Sequence, residues 1–499
     1  MTGDTGMAVT GWLLSWLAAG VIFLQTWRIV RVNSRPALGD AFTYLRTARE
    51  MRRQRTLFPE LSFYRTGERE VLQLPPLLMA LLVPLAELPY ALVLSLVAAV
   101  DLLTAVLVAG LGHLLFGLEP WRAVLAALVF LLTPINAIMT ASLTPRGLAL
   151  FWFTGFVGAL SAYIADGNVL WVLAGATAVA LALLSQRMVT QILVLVTPVV
   201  AIGFWASGQQ RHAQLLTALL LGFALAWLVT GGRYGPVIRD HLRRVLVHAR
   251  IGQQQRLRRE FGNPVHIVKA NPWLPLLGVT LVLAGSRGQI LPPDLALAAA
   301  FVVGILVLAI VWVMGNSVNH MFFASPMVAW LLAATLPAGG WWLLAVGGLG
   351  LVAVVIVWRE FGVVVANQLP VAWLECFAFI RKQNLQGCAL VVPRVSFPPL
   401  VYYTPLVMLS SGHGSKAMTF DRLTIRQRLA EAQSMAGLAR DLGLRYVLVD
   451  RKISSAEVLA AVDGLQTLGF QPLFDSGQVV LLQAPEGAAD SAPTVPSAG

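Results

Sequence analysis

Residues able to carry chemistry are few in this 499-residue sequence and uneven in type. All but four of its 36 basic residues are arginine, the exceptions being Lys269, Lys382, Lys416 and Lys452. A guanidinium holds a phosphate through two parallel charge-assisted bonds, so this bias suits phosphate recognition, although genome composition produces the same excess. Arg146 in Thr144-Pro145-Arg146, Arg187 in Ser185-Gln186-Arg187-Met188, and His320 between Asn316 and Pro326 all stand at ends of apolar runs. A cation there can hold a departing phosphate. It is also the residue type that snorkels from a helix end to water, or, for histidine, that sits satisfied by hydrogen bonds. Asp40 opens the segment Gly39-Asp40-Ala41-Phe42-Thr43-Tyr44, shortly after the first apolar run. A carboxylate can take the proton of an attacking hydroxyl as general base, and it is equally a loop residue or helix N-cap.

Other chemistries lack their residues. There is no Walker loop, no G-x-G-x-x-G strand–helix unit, no H-E-x-x-H and no C-x-x-C. Asp101 is the clearest carboxylate inside an apolar run, where a proton-coupled transporter usually carries several. Asp40 has no neighbouring acid in an Asp-x-Asp pair, which disfavours a divalent metal without closing that alternative, and no other cofactor is expected. The two cysteines, Cys376 and Cys388, are too few for a disulfide scaffold, and the choice between one bond and two buried thiols stays open.

These residues need elements to hold them, and composition says which. The chain is 57% hydrophobic and only 12% charged, with mean hydropathy +0.74. A soluble domain carries about 25% charged residues, so this chain cannot cover a water-facing surface of its size. A soluble globule, a disordered scaffold and a coiled coil are excluded. Apolar runs lie at residues 7–26, 90–116, 124–139, 148–164, 170–184, 189–204, 215–229, 273–284, 295–314, 321–336 and 341–358. They predict a polytopic α-helical membrane protein with about eleven transmembrane helices. The first run has no basic residue before it and reads as a retained helix. Residues 72–88, opened by Pro75-Pro76, read as a short interfacial or re-entrant helix. The net charge of +12 is gathered in polar segments between spans. Anionic lipid or a phosphorylated lipid substrate explains it better than nucleic acid.

The texture changes after residue 360. Cys388–Val392 and Tyr446–Val449 read as strands, and Phe470–Phe474 and Val479–Leu482 flank a hairpin signal at Asp475-Ser476-Gly477. Apolar residues from Ile425 to Leu442 recur at helical spacing after an N-cap at Thr424, and Ser454-x-x-Glu457 reads as a capping box. The expected organisation is a membrane domain over 1–360 with external loops 27–71 and 231–272. A small α/β domain over 375–484 and a disordered tail over 485–499 follow.

Taken in order, several segments resemble the GT-C superfamily of integral-membrane glycosyltransferases that use polyprenyl-phosphate sugar donors. The superfamily includes protein O-mannosyltransferases and lipid A aminoarabinose transferases. The segment Gly39–Glu50 with Asp40 resembles the first external loop, and Leu74-Pro75-Pro76-Leu77 resembles the entry to the second membrane stretch. Leu132-Thr133-Pro134-Ile135-Asn136 with Thr144-Pro145-Arg146 resembles the loop between helices three and four, with Arg146 where some relatives have an acid. Ser185–Met188 resembles a Lys-Gly phosphate-contacting element, with Arg187 for the lysine. Asn316–Pro326 resembles a late Arg-Tyr-Leu-x-Pro element, with His320 for the arginine. The resemblance implies that Asp40 is the catalytic base, that Arg187, Arg146 and His320 hold the donor phosphate, and that the α/β domain is extracytoplasmic.

The chemistry is consistent with those types. A lipid phosphate is already a leaving group, so no nucleotide site is needed, and one base suits inversion at C1. The expected activity is transfer of a sugar from a polyprenyl-phosphate donor to a glycan, lipid or protein acceptor outside the cytoplasm, in the bacterial inner membrane. Alternatives are a lipid-linked-sugar flippase or a non-catalytic membrane assembly protein. Span parity puts Asp40, Arg146, Arg187, His320 and the C-terminal domain on the outer face. The positive-inside rule favours the inverse orientation, because it would keep the arginine-rich loops in the cytoplasm.

Overall fold

The computed structural model describes residues 2–33, 41–61, 63, 70–72, 74–88, 90–140, 143–242, 246, 264–310, 317–337, 340–366, 368–394, 397–409 and 428–485. Asp40 and Thr424 lie outside the described residues, as do 247–263 of the second polar segment and the tail from 486. The chain divides into two compact units. One comprises Met1–Ser34, Pro75–Leu78 and Leu88–Ala366, and the other Arg35–Leu74, Met79–Glu87 and Asn367–Gly499.

The first unit is helical. Its elements are α1 (Thr2–Asn33), α4 (Tyr90–Leu114), α5 (Pro120–Leu132), α6 (Pro134–Met139), α7 (Arg146–Asp166), α8 (Val169–Ser185), α9 (Arg187–Ala206) and α10 (Gln214–Val229). They continue with α11 (residues 234–242), α12 (Pro264–Ala270), α13 (Trp273–Ser286), α14 (Pro293–Ile310), α15 (Met321–Thr335) and α16 (Gly340–Ala366). Each of the eleven apolar runs therefore contains a helix. Six helices among the described residues are long and apolar enough to cross a bilayer, or up to seven if α12 and α13, bent by 92°, form one span. The expected count of about eleven crossings is not reached by that measure. Ala98–Leu114, Pro120–Leu132 and Val169–Ser185 are apolar but shorter than the ~20 residues of a full crossing.

Helix boundaries follow local chemistry. Gly167, at φ +76°, ends α7 with its N–H on Tyr163 O at 2.8 Å. Asn168 then caps α8 by accepting Leu170 N–H at 3.0 Å. Small residues let the backbones approach: a Cβ on Gly175 would sit 2.3 Å from Leu160 Cδ2, and one on Gly222 2.4 Å from Val179 Cγ1. The middle of the unit is α15, whose residues Met321–Ala333 are buried throughout. Its Trp330 indole donates to Val108 O on α4 at 2.8 Å.

Two proline breaks are cross-linked inside this unit. At Thr133-Pro134 the helix ladder stops, and the Asn136 amide donates to Phe130 O at 2.7 Å. Within α15, Pro326 cannot donate to Phe322 O. Ser325 Oγ lies 2.7 Å from that carbonyl and 2.8 Å from Asn136 Oδ1. The one Ser325 hydroxyl proton is shared between these two acceptors, and in this way the serine links the two breaks.

The second unit holds α2 (Ala41–Gln54), the two-residue strands β1 (Glu60–Leu61) and β2 (Glu70–Val71), and a sheet with flanking helices. The short helix α3 (Leu77–Leu82) and the 3-10 turn Val83–Leu85 form the proline-opened segment read as interfacial or re-entrant. The C-terminal elements are α17 (Val371–Lys382), β3 (Cys388–Val392), α18 (Pro398–Tyr403), β4 (Val407–Met408), α19 (Ala432–Asp441), β5 (Tyr446–Asp450), α20 (Ala456–Thr467), β6 (Gln471–Asp475) and β7 (Val479–Gln483). The sheet order is β4-β3-β5-β7-β6. β3 is parallel to both β4 and β5, and β7 is antiparallel to both β5 and β6. Leu390, Val392, Met435, Leu438, Val447, Val449, Val462 and Leu465 share its core. The hairpin between β6 and β7 turns at Gly477, at φ +80°, whose N–H donates to Asp475 Oδ1 at 2.7 Å.

Two expectations shift. The helix read from Ile425 to Leu442 is interrupted by a turn at 429–431, after which α19 starts at Ala432, while residues 424–427 lie outside the described residues. The cap of α20 is Ser455, which accepts Val458 N–H at 3.4 Å, and Ser454 instead donates to Asp450 O at 2.8 Å. A single N-cap and not a capping box therefore opens α20, since Val458 stands three residues after Ser455. Residues 35–74 group with the C-terminal sheet in one compact unit.

Cys376 and Cys388 are separate buried thiols. Burial pushes the Cys376 thiol up to about 12, which keeps it protonated and unreactive at neutral pH. A maleimide added to the folded protein at pH 8 should label neither cysteine, and both should label once the protein is denatured. Fast labelling of the native protein would contradict this packing.

Candidate functional site

In the first unit the polar residues gather around the start of α9. Ser185 ends α8 with its hydroxyl on Leu181 O at 2.6 Å. Gln186 is extended, and its side-chain oxygen accepts the N–H groups of Met188 and Val189. This cap makes Arg187 the first residue of α9 and fixes the direction in which its side chain leaves the helix. Arg187 Nη2 lies 2.6 Å from Asp240 Oδ2 on α11, with side-chain exposures of 10% and 2%. Both charges are thus out of water and depend on each other. Tyr234, six residues before Asp240, donates to Leu183 O at 3.1 Å. Burial, offset by Thr190 and Arg187, pushes its phenol up to about 12, so it stays a neutral donor.

One turn along α9, Gln191 Oε1 lies 2.7 Å from His320 Nε2 at the entry to α15. Arg187 and Gln191 share a helix face by their i,i+4 spacing. Through them α9 joins α11 and α15, so that the ion pair of Arg187 and the hydrogen bond of His320 both involve the first two turns of α9. His320 is fully buried and hydrogen-bonded.

Arg146 is elsewhere in this unit. It starts α7, and its Nη1 lies 2.9 Å from Met139 Sδ. Beside it a Cβ on Gly147 would come 3.3 Å from Asp101 Oδ1. Asp101 Oδ2 accepts the Thr140 hydroxyl at 2.7 Å, which compensates the burial of this carboxylate within α4.

In the second unit the residues following Asp40 form α2. Glu50, nearly fully buried, pairs with Arg46 at 3.3 Å and Arg53 at 2.7 Å. The adjoining part of the same face of α2 meets α18. Phe42 lies 5.2 and 5.4 Å, centroid to centroid, from Tyr402 and Tyr403. The Arg49 guanidinium stacks 4.4 Å from the Tyr402 ring, donates to its hydroxyl at 3.3 Å and reaches Glu87 at 3.4 Å. Burial pushes the Tyr403 phenol up to about 12, so Tyr403 stays a neutral phenol in the physiological range. Among the described residues no three His, Cys, Asp or Glu side chains gather as a metal site requires.

The partners that the structure gives Arg187 and His320, Asp240 and Gln191, were not among the residues singled out in the sequence. The signal was present for Asp240, one of only two acids in an arginine-rich segment of 41 residues. Gln191, four residues after Arg187, carried only the helical spacing.

No protein-family model and no curated protein matches this chain. Solved structures do. ArnT from Cupriavidus metallidurans bound to undecaprenyl phosphate superposes with a TM-score of 0.59 at 14% identity, covering 96% of this chain and 99% of that one. The archaeal oligosaccharyltransferase AglB from Archaeoglobus fulgidus, in complex with an inhibitory peptide and a dolichol-phosphate, gives 0.52 at 12%, covering 97% and 77%. The A. fulgidus enzyme tethered to an acceptor peptide with the NVT sequon gives 0.55 at 12%, covering 95% and 74%. At these identities the likeness is one of fold, and it bears out the GT-C resemblance at that level over nearly the whole length.

The Arg187–Asp240 pair makes a stability prediction. Removing one partner of a buried ion pair costs about 3–5 kcal/mol, whereas replacing both by apolar side chains costs far less. Asp240→Ala should lower the thermal midpoint sharply, and Arg187→Met with Asp240→Leu together should recover most of it. A single variant as stable as wild type would contradict the pairing.

Proposed function

We propose that this chain is an inverting membrane glycosyltransferase that moves one sugar from a polyprenyl-phosphate donor to a glycan, lipid or protein acceptor. The observation that carries the reading is the end-to-end fold match to ArnT bound to undecaprenyl phosphate, with 96% and 99% of the two chains covered. The complex of AglB with dolichol-phosphate supports the same class of donor. The chain is an integral membrane protein by its apolar helices. We place it in a bacterial inner membrane, with residues 35–74 and the C-terminal domain outside the cytoplasm. The packing of α2 on α18 supports putting those two segments on one side.

Asp40 acts as general base. It takes the proton of the acceptor hydroxyl as that oxygen bonds to C1 of the sugar. The bond from C1 to the phosphate oxygen breaks, and its electron pair leaves with the lipid phosphate. Arg187, held at the start of α9, stabilises that charge, with Arg146 and His320 as further donor contacts. A buried guanidinium anchored by Asp240 needs little reorganisation as charge develops, which is where preorganised groups lower a barrier most.

Asp40→Asn keeps the size of the side chain and removes its basicity. Transfer of labelled sugar in proteoliposomes should fall at least about 10²-fold with expression and thermal midpoint unchanged. Arg187→Ala should weaken donor binding by about 1.5–3 kcal/mol, the worth of a charged hydrogen bond, read as a rise in donor KM. Wild-type transfer by Asp40→Asn would sink the general-base assignment.

A further inference from the structure

The first polar segment does not stand apart from the C-terminal domain. Residues 35–74 belong to the same compact unit as the sheet, although more than 300 residues of sequence separate them from it. Two independent attachments make the connection. At the sheet edge, Met408 N–H on β4 donates to Phe63 O at 3.0 Å, so the segment after α2 is hydrogen-bonded to the outermost strand. On the helical side, Phe42 and Arg49 of α2 close on Tyr402 and Tyr403 of α18, the crossover between β3 and β4. The aromatic cluster continues inward. Tyr403 stacks on Phe377 of α17 at 5.6 Å, and Phe377 and Trp373 both meet Phe397. The Trp373 indole donates to buried Asp450 at the end of β5 at 3.0 Å. An unbroken chain of packed side chains thus runs from the core of the sheet to α2.

The first turn of α2 contains Phe42, two residues after Asp40 in the chain. We propose that the C-terminal domain serves the transfer reaction by positioning α2, with Phe42, Arg49, Tyr402 and Tyr403 as the positioning residues. This inference rests on the reading of Asp40 as general base. The physical argument is geometric. A base acts only within hydrogen-bond reach of the proton it takes, and a displacement of about 1 Å costs roughly 10²-fold in rate. Helix α2 has nine of its 14 residues buried and is too short to hold its shape alone in water, since isolated helices of this length are marginal. Its place is therefore set by what it packs on. In the Arg49–Tyr402 stack the planar guanidinium fixes a direction as well as a contact.

The test is steady-state transfer from a polyprenyl-phosphate sugar by the purified full-length chain in proteoliposomes, comparing wild type, Tyr402→Ala, Tyr402→Phe, Arg49→Ala and Asp40→Asn. Folding is followed by thermal midpoint. Tyr402→Ala and Arg49→Ala should lower kcat about 10-fold or more with donor KM within about 2-fold of wild type, in line with the cost of misplacement. Tyr402→Phe keeps the ring under the guanidinium and should retain most of kcat. The midpoint of the acidic limb of the pH–rate profile should stay where wild type has it, because the base is moved and not replaced. Unchanged kcat in both alanine variants, alongside an inactive Asp40→Asn, would overturn the positioning role alone. So would a loss in Tyr402→Ala that Tyr402→Phe shares in full. Should Tyr402→Ala fail to fold, Phe42→Leu takes its place, with the same kcat loss expected and an unchanged kcat contrary. An inactive wild type, or an active Asp40→Asn, would instead overturn the reading of the reaction itself.

Discussion

In hydrocarbon every backbone N–H and C=O must find its partner within the protein, and each one left unmet costs several kcal/mol. This constraint governs the helical unit most strongly where its helices break. At the two proline breaks side chains approach the carbonyls: the Asn136 amide donates to Phe130 O, which also accepts the Thr133 N–H, and the single Ser325 hydroxyl proton is shared between Phe322 O and Asn136 Oδ1. The break at Gln186 is met the same way, by a side chain capping the next helix. What such breaks provide is direction. They place Arg146, Arg187 and His320 at or beside helix starts, where side chains can leave the helix axis.

Much of the fold was legible because its signals are local. Apolar runs report helices in a membrane protein more directly than in a soluble one, and every run contains a helix. The strands at Cys388–Val392 and Tyr446–Asp450 were equally plain, being short apolar runs between turn residues. Errors came where two neighbours compete for one role. Ser454 and Ser455 both suit an N-cap, and which serine caps depends on whether the other finds a carbonyl, here that of Asp450. How many helices cross in full was also hidden. Proline placement and bending decide that, and α12 and α13 turn through 92° at Asn271-Pro272.

The candidate site was legible by residue type and not by partner. Arg187 and His320 announced themselves as polar residues at the ends of apolar runs, but Asp240 and Gln191 matter only through distances of 2.6 and 2.7 Å that join separate helices. Sequence carries no direct signal for such pairings. The same holds in the second unit, where nothing local ties Phe42 and Arg49 to the tyrosine pair at 402–403. Tertiary packing created that face, and it makes the first polar segment part of a domain encoded at the other end of the chain.

The central claim is that this chain transfers a sugar in one displacement from a lipid phosphate. It is tested most directly by the configuration of the product. The purified protein in proteoliposomes would be given a polyprenyl-phosphate sugar of defined anomeric configuration, and the new glycosidic bond read by nuclear magnetic resonance. Our account predicts inversion at C1, as a single general base and a phosphate leaving group require. A product with retained configuration, or no transfer from any such donor, would contradict it.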